Sequence, residues 1–137
     1  MIDKNELEQA YQTQAQLFKS LMHPTRLAIL EVLRDGEQCV CHMEATLGYR
    51  QAYISQHLMV LREANLVEDR RDGWNIFYRV TRPEIYTVLD EVRQILGVPA
   101  STIIHSHSAS CPCPHCQTDS ETLRLDEQVN ISKQMDL

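Results

Sequence analysis

Apolar residues recur at spacings of three and four positions in five segments of the chain. Such spacing places them on one face of an α-helix, so it predicts five helices. The predicted helices cover residues 4–19, 24–34, 40–47, 51–65 and 83–96. Pro24 suits the first position of the second helix, because its missing N–H costs nothing there. Gly97 and Pro99 end the fifth helix.

Between the last two helices, β-prone residues flank the dipeptide Asp72-Gly73. Asp-Gly is favoured in type I′ hairpin turns, which need a positive φ at both central residues. This stretch therefore predicts a β-hairpin with a basic tip that contains Arg70 and Arg71.

The third and fourth helices are separated by a short turn that begins at Gly48. Glycine favours such a turn, since it adopts a positive φ without strain. The fourth helix directs Ile54, Leu58 and Leu61 inward and presents polar residues on its outer face. Two helices in this arrangement predict a helix-turn-helix, whose second helix enters the major groove of DNA.

The first and fifth helices carry apolar stripes that are too extensive to be left in water. A domain of this size cannot bury every stripe internally, so we expect a homodimer through the first and last helices. A symmetric dimer would present two recognition helices to a palindromic site in double-stranded DNA.

Composition and charge refine this interpretation. The chain has 137 residues, 43% hydrophobic and 23% charged, which is typical of one soluble globular domain with a short appendage. No signal peptide or membrane-spanning segment is evident, so we expect a cytoplasmic protein with no membrane partner.

The net charge of −6 disfavours binding to nucleic acid at first, because phosphate binding depends on Lys and Arg. Residues 48–82, however, hold six basic and four acidic side chains, and a small basic face on an acidic body suits a salt-sensitive DNA binder.

The end of the chain differs in kind from the rest. It is rich in Ser, Thr and His, then reads Cys111-Pro112-Cys113-Pro114-His115-Cys116, and ends in a polar acidic stretch. We therefore divide the chain into a DNA-binding and dimerisation domain, residues 1–97, and a flexible Cys/His-containing tail, residues 98–137.

The five cysteines are Cys39, Cys41, Cys111, Cys113 and Cys116. An odd number in a chain without a signal peptide argues against a disulfide framework and favours metal or redox chemistry.

Cys39 and Cys41 lie at the start of the third helix. Residues two apart inside a helix point about 200° away from each other, so chelation needs at least one of them in the non-helical entry. The positive end of the helix favours a thiolate there. The alternative interpretation is that both are small buried hydrophobic residues.

Three thiols within six tail residues have no packing role in a polar segment, and soft thiolates bind thiophilic ions. Three thiolates suit trivalent arsenic or antimony, while four suit cadmium, lead or zinc. Two alternatives stay open: a redox-labile tail, or a separate structural zinc site completed by His105, His107 or His115.

Several motifs, in order over residues 18–96, resemble the ArsR/SmtB family of metal-sensing winged-helix repressors. They are His23-Pro24-Thr25-Arg26, the thiolate motif Cys39-Val40-Cys41, Ile54-Ser55-Gln56-His57-Leu58, Leu61-Arg62-Glu63-Ala64, and Asp72-Gly73 followed by Phe77-Tyr78. The resemblance implies a mainly α, winged helix-turn-helix fold with one β-hairpin wing. It also implies a dimeric repressor that leaves its operator when a metal or metalloid ion binds.

Two departures from the family pattern stand out. Arg50 occupies the position where Ser or Thr often caps the recognition helix, and it cannot accept a backbone N–H. The family's paired zinc site on the last helix is not reproduced either, because only Asp90 and Glu91 stand there without a histidine.

The candidate DNA contacts lie on the fourth helix and the hairpin. Amide and hydroxyl groups on the outer face of a recognition helix can read base edges, and hairpin arginines can contact phosphate or the minor groove. The alternative is an ordinary solvated surface. The candidates are Gln51, Tyr53, Ser55, Gln56, His57, Arg70 and Arg71.

The sequence thus predicts a DNA-binding repressor released by a thiophilic ion on cysteine thiolates, with cadmium or lead slightly favoured over arsenite or antimonite. The predicted metal ligands are Cys39, Cys41, Cys111, Cys113 and Cys116. The rivals are a thiol-disulfide redox-sensing repressor of the same fold and a metal-buffering protein with an incidental helix-turn-helix. Phosphate-binding loops and nucleophilic triads are not evident, so we expect neither enzymatic activity nor an organic cofactor.

Overall fold

The computed structural model describes residues 1–99, which form five helices and a small sheet. The elements are α1 (Lys4–Leu21), α2 (Pro24–Val32), β1 (Gln38–Cys39), α3 (Val40–Leu47), α4 (Gln51–Glu63), β2 (Val67–Asp72), β3 (Asn75–Val80) and α5 (Ile85–Leu96). All five predicted helices are present, with ends within two residues of those predicted. In the described part of the chain, no helix is both long and apolar enough to cross a membrane. The predicted tail lies outside the described residues except at its start.

Helices α2, α3 and α4 build most of the core, and single buried residues of α1, β2 and α5 complete it. The predicted apolar stripe of α4, Ile54, Leu58 and Leu61, is fully buried. It packs in one cluster with Ile29 of α2, Met43 of α3 and their neighbours. Spacings of three and four residues place these side chains on facing helix surfaces, which is why three short helices form one core.

The turn between α3 and α4 confirms the predicted helix-turn-helix. Gly48 ends α3 with φ of +75° and ψ of 15°, a left-handed conformation that favours glycine. Arg50 is the N-cap of α4, and its side chain makes no capping hydrogen bond, as its chemistry predicts.

The sheet is antiparallel and three-stranded, in the order β1–β3–β2. Strand β1 was not predicted, because two residues are too short to show an alternating pattern. Its Gln38 pairs with Tyr78 and its Cys39 with Phe77. The thiolate motif is therefore joined directly to the hairpin.

The hairpin turn consists of Gly73 and Trp74, one position later than predicted. Asp72 and Asn75 form the last cross-strand pair, and a positive φ occurs at Gly73 (+59°) but not at Trp74. Glycine at the first central position is the pattern of a type II′ turn. The predicted hairpin is thus confirmed, while the predicted type I′ turn centred on Asp72-Gly73 is wrong.

Helices α1 and α5 flank the core and leave most of their apolar stripes exposed in a single chain. Leu7, Tyr11 and Phe18 of α1 are exposed, as are Val92 and Ile95 of α5.

Candidate nucleic-acid interface and thiol site

The outer face of α4 presents Gln51, Ser55 and Gln56 to solvent. These three predicted base-reading residues lie opposite the buried stripe of the helix, as the sequence pattern requires. Tyr53 is partly exposed at the edge of this face. Its hydroxyl lies 3.3 Å from Oγ1 of Thr25, which connects the recognition helix to the start of α2.

His57, by contrast, is turned inward and is only 8% exposed. Its position, three residues after Ile54 and four before Leu61, places it on the buried side of α4. Its ring lies 4.2 Å from the ring of His23, and its Nδ1 lies 3.3 Å from Nη1 of Arg26. His57 therefore does not share the solvent-exposed face on which Gln51, Ser55 and Gln56 lie.

The surroundings of His57 disfavour its charged form. Burial lowers the pKa of this imidazole, and the nearby His23 and Arg26 lower it further. Tyr53 meets the same ring edge-on, with centroids 4.7 Å apart. The histidine before Pro24 is the feature of the sequence that could have indicated this cluster. His23 caps α2, because its Nδ1 accepts the backbone N–H of Thr25 at 3.1 Å.

The two predicted wing arginines have different surroundings. Arg70 donates two hydrogen bonds to the carboxylate of Glu37, from Nε at 3.3 Å and from Nη2 at 2.5 Å. Arg71 is exposed and forms no ion pair within residues 1–99. Arg79 at the base of the wing is paired with Glu68.

Cys39 provides the non-helical entry that chelation by the thiolate motif requires. It is the N-cap of α3, with φ of −78° and ψ of 156°, and its Sγ accepts the backbone N–H of His42 at 3.3 Å. Cys39 is buried, whereas Cys41, in the first turn of α3, is half-buried. A sulfur at this position faces the positive end of the helix, which stabilises a thiolate.

Both cysteines line a cleft of about 140 Å³ where α3, α4 and the wing meet. The start of α4 contributes Gln51, and the wing contributes the fully exposed Trp74 and its neighbours. The same cleft is thus lined by the thiolate motif and by the two candidate DNA-contacting elements, α4 and the wing.

The described residues supply two thiols to this site and no complete metal cluster. Within residues 1–99, no group of three or more His, Cys, Asp or Glu side chains is arranged to hold a metal ion. The remaining predicted ligands, Cys111, Cys113 and Cys116, lie outside the described residues, as do His105, His107 and His115.

On α5, the carboxylate that could take part in a last-helix zinc site is bound by an arginine. Arg34 donates to both oxygens of Asp90, at 2.8 and 3.2 Å. These hydrogen bonds hold the pKa of Asp90 below its usual value. Glu31, which is buried, pairs with both Arg34 and Arg93. This network attaches α5 to α2.

Comparison with known proteins agrees with this architecture. A family model described as a bacterial regulatory protein of the arsR family matches residues 23–69, from the start of α2 into β2. An HTH-type transcriptional regulator of Mycobacterium tuberculosis, Rv0081, is 37% identical over 93 residues, which cover 67% of this chain and 82% of the relative. Its crystal structure superposes with a TM-score of 0.59 at 36% identity, over 64% of this chain and 89% of that one.

Two further relatives bear on function. The arsenical resistance operon repressor of Escherichia coli is 45% identical over 67 residues, covering 48% of this chain and 57% of the relative. The solution structure of a homodimeric winged helix-turn-helix domain from Mycobacterium bovis, a possible ArsR-family regulator, has a TM-score of 0.62 at 25% identity. That match covers 69% of this chain and 88% of the other. The family that the motifs resemble is confirmed: this chain belongs to the ArsR/SmtB family of winged helix-turn-helix transcriptional repressors.

Proposed function

We propose that this chain is a homodimeric repressor that binds an operator with dyad symmetry and is released when a thiophilic metal or metalloid ion binds Cys39, Cys41 and tail cysteines. The observation that carries this proposal is the shared cleft. Its walls come from the thiolate motif, the start of α4 and the wing. A ligand on the two thiols would therefore act directly on the elements proposed to contact DNA.

The DNA side of the proposal is supported by exposed polar groups on α4 and by the charge of Arg71, which forms no ion pair within residues 1–99. Gln51, Ser55 and Gln56 would read base edges, with Tyr53 at the rim of the contact. Arg71 would contact phosphate, and Arg70 would do so after leaving Glu37. His57 supports the helix from inside.

Dimerisation through α1 and α5 is supported by their exposed apolar stripes and by the homodimeric state named for the M. bovis relative. Two copies related by a twofold axis would present two α4 helices to one side of the duplex. The predicted palindromic site follows from this symmetry.

The ligand side is supported by the chemistry of the donors. The two thiols of the folded domain sit at a helix start, where thiolates are stabilised, and residues 98–137 add three more. Two thiols from the domain and one from the tail suit trivalent arsenic or antimony, while a second tail thiol completes a site for cadmium, lead or zinc. The name of the E. coli relative, an arsenical resistance operon repressor, is consistent with such a site. We favour cadmium or lead, because the tail holds more sulfur than a metalloid needs.

DNA binding is tested by selecting duplexes from a random pool and measuring affinity against salt. We expect the selection to yield a sequence with dyad symmetry. The affinity of the protein for this duplex should fall steeply with salt concentration, because phosphate contacts release counterions. Arg71→Ala should lower the salt slope by about 1, while the control Arg82→Ala, an equal charge loss at the base of the wing, leaves it unchanged. Gln51→Ala should mainly alter sequence preference. A protein that binds dyad and random duplexes equally would contradict the DNA proposal.

Ligand release is tested by adding cadmium, lead or arsenite anaerobically to the protein–duplex complex. We expect release in the wild type and loss of release in Cys39→Ser and Cys41→Ser, with single serine variants of the three tail cysteines reporting the number of sulfur ligands. If arsenite alone releases DNA and two of the tail variants behave as wild type, the four-sulfur site is wrong. If both domain-cysteine variants still respond, the sensing site lies in the tail. Release by oxidant alone, reversed by reductant, would establish the redox-sensing repressor instead.

A further inference from the structure

Arg70 on the wing is held in a defined position by two neighbours. Its guanidinium lies 4.8 Å from the centre of the Phe77 ring, which stacks beneath the charge. Its Nε and Nη2 both donate to the carboxylate of Glu37, so the pair is bidentate. Asp72 lies further away, at 3.9 Å from Nη1.

Phe77 connects this pair to the thiolate motif. In the sheet, Phe77 is the cross-strand partner of Arg70 on one side and of Cys39 on the other. Directly paired residues point to the same face of a sheet, and Cys39 and Phe77 are packed together in a small buried cluster with Cys41. Glu37 lies two residues before Cys39, a spacing that returns to the same face of an extended chain. A continuous chain of contacts therefore runs from the thiol of Cys39 through the ring of Phe77 and the guanidinium of Arg70 to the carboxylate of Glu37.

The carboxylate of Glu37 occupies the Nε–Nη2 edge of Arg70, one of the two edges through which a guanidinium can bind a phosphate. A guanidinium binds carboxylate and phosphate through the same fork of N–H groups. We propose that Glu37 is a positioning residue that sets operator affinity by competing with DNA phosphate for Arg70, and that a ligand on Cys39 shifts this competition through Phe77. This inference rests on the proposed DNA-binding function.

Arg71 and Glu68 provide matched comparisons on the same hairpin. Arg71 faces Ile76 across the sheet and has no ion-pair partner within residues 1–99, so no carboxylate of the described residues would compete with phosphate for it. Glu68 is paired with Arg79 at the base of the wing. Replacing Glu68 removes one negative charge, as replacing Glu37 does, without releasing Arg70.

The test measures the affinity for the selected dyad duplex, and its dependence on salt concentration. The proteins compared are the wild type, Glu37→Gln, Glu68→Gln, Arg70→Ala and the double variant that combines Glu37→Gln with Arg70→Ala. We expect Glu37→Gln to bind about two- to fivefold more tightly and Glu68→Gln to change affinity less. The gain from Glu37→Gln should vanish in the Arg70→Ala background, and Arg70→Ala should lower the salt slope by about 1.

Each of the remaining outcomes overturns the inference in a recognisable way. Equal gains from Glu37→Gln and Glu68→Gln, or a gain that persists without Arg70, would reduce the effect of Glu37 to general charge repulsion. If the wild type shows no preference for any dyad duplex, the proposed function fails together with this inference. Preference for the dyad without a gain in Glu37→Gln overturns the inference alone.

Discussion

Helices α2, α3 and α4 and the flanking helices α1 and α5 all carry apolar stripes, but α4 buries its stripe completely within one chain while α1 and α5 leave most of theirs exposed. Ile54, Leu58 and Leu61 of α4 are 0% exposed. On α5, Ile95 is 82% exposed, and Phe18 on α1 is 50% exposed. An open groove of about 1020 Å³ separates α1 from α4.

The helix-turn-helix unit therefore packs its stripes within one chain, while the flanking helices α1 and α5 keep apolar surface accessible to another molecule. The flank α5 is held to α2 by polar links: the hydroxyl of Tyr86 donates to the carbonyl of Leu30 at 2.7 Å, and Arg34 joins Glu31 to Asp90. These links and the buried Ile85 position the helix, while Val92 and Ile95 face outward. We infer that a second copy completes this region.

The largest effect is expected in the self-contained unit. Leu58→Ala removes a fully buried side chain from α4, and we expect the free energy of unfolding to fall by about 2–5 kcal/mol. Ser55→Ala, on the outer face of the same helix, should change it by less than about 0.5 kcal/mol. Denaturant titrations at equal protein concentration measure both. Equal losses would show that the buried and outer faces of α4 are wrongly assigned.

A smaller effect is expected at the flank. Ile95→Glu places a charge on the exposed stripe of α5, and we expect the dimer dissociation constant to rise at least about tenfold while circular dichroism stays that of a folded chain. Gln94→Glu adds the same charge one residue earlier, off the stripe, and serves as the control. Sedimentation velocity measures both variants. A dimer in Ile95→Glu as stable as the wild type would place the interface elsewhere.

A still smaller effect concerns pH at the junction of α2 and α4. The pKa of His57 is lowered from 6.5 by burial, His23 and Arg26, so the folded protein binds fewer protons at this site than the unfolded chain. Its contribution to stability is therefore present above about pH 6.5 and is lost as the pH falls from there towards the lower folded pKa. We expect stability to decrease more steeply between pH 7.5 and 5.5 in the wild type than in His57→Gln. Identical slopes would show that His57 is not the group responsible.

The same contrast explains what could be read from the sequence. Periodicity located the five helices of residues 1–99 and the buried stripe of α4, because burial and spacing are coupled within one chain. It missed β1, whose two residues pair with β3 through the fold alone, and with it the contact between Cys39 and Phe77. The inward position of His57 was readable from its spacing to Ile54 and Leu61, but its polar character favoured a surface assignment. The pairing of Arg70 with Glu37 depends on residues 33 positions apart and left no local signal.

Measuring ion affinity with and without the duplex shows whether ligand binding at Cys39 and Cys41 is coupled to DNA binding. Anaerobic competition with a chromophoric chelator gives the affinity of the releasing ion for the protein alone and for its complex with the selected dyad duplex. Because coupling is reciprocal, the duplex should weaken the ion by the same factor, about 5- to 150-fold, by which the ion weakens the duplex. Cys39→Ser should abolish both effects together. Equal ion affinity with and without the duplex in the wild type would show that the thiol site and the DNA-binding surface are not coupled.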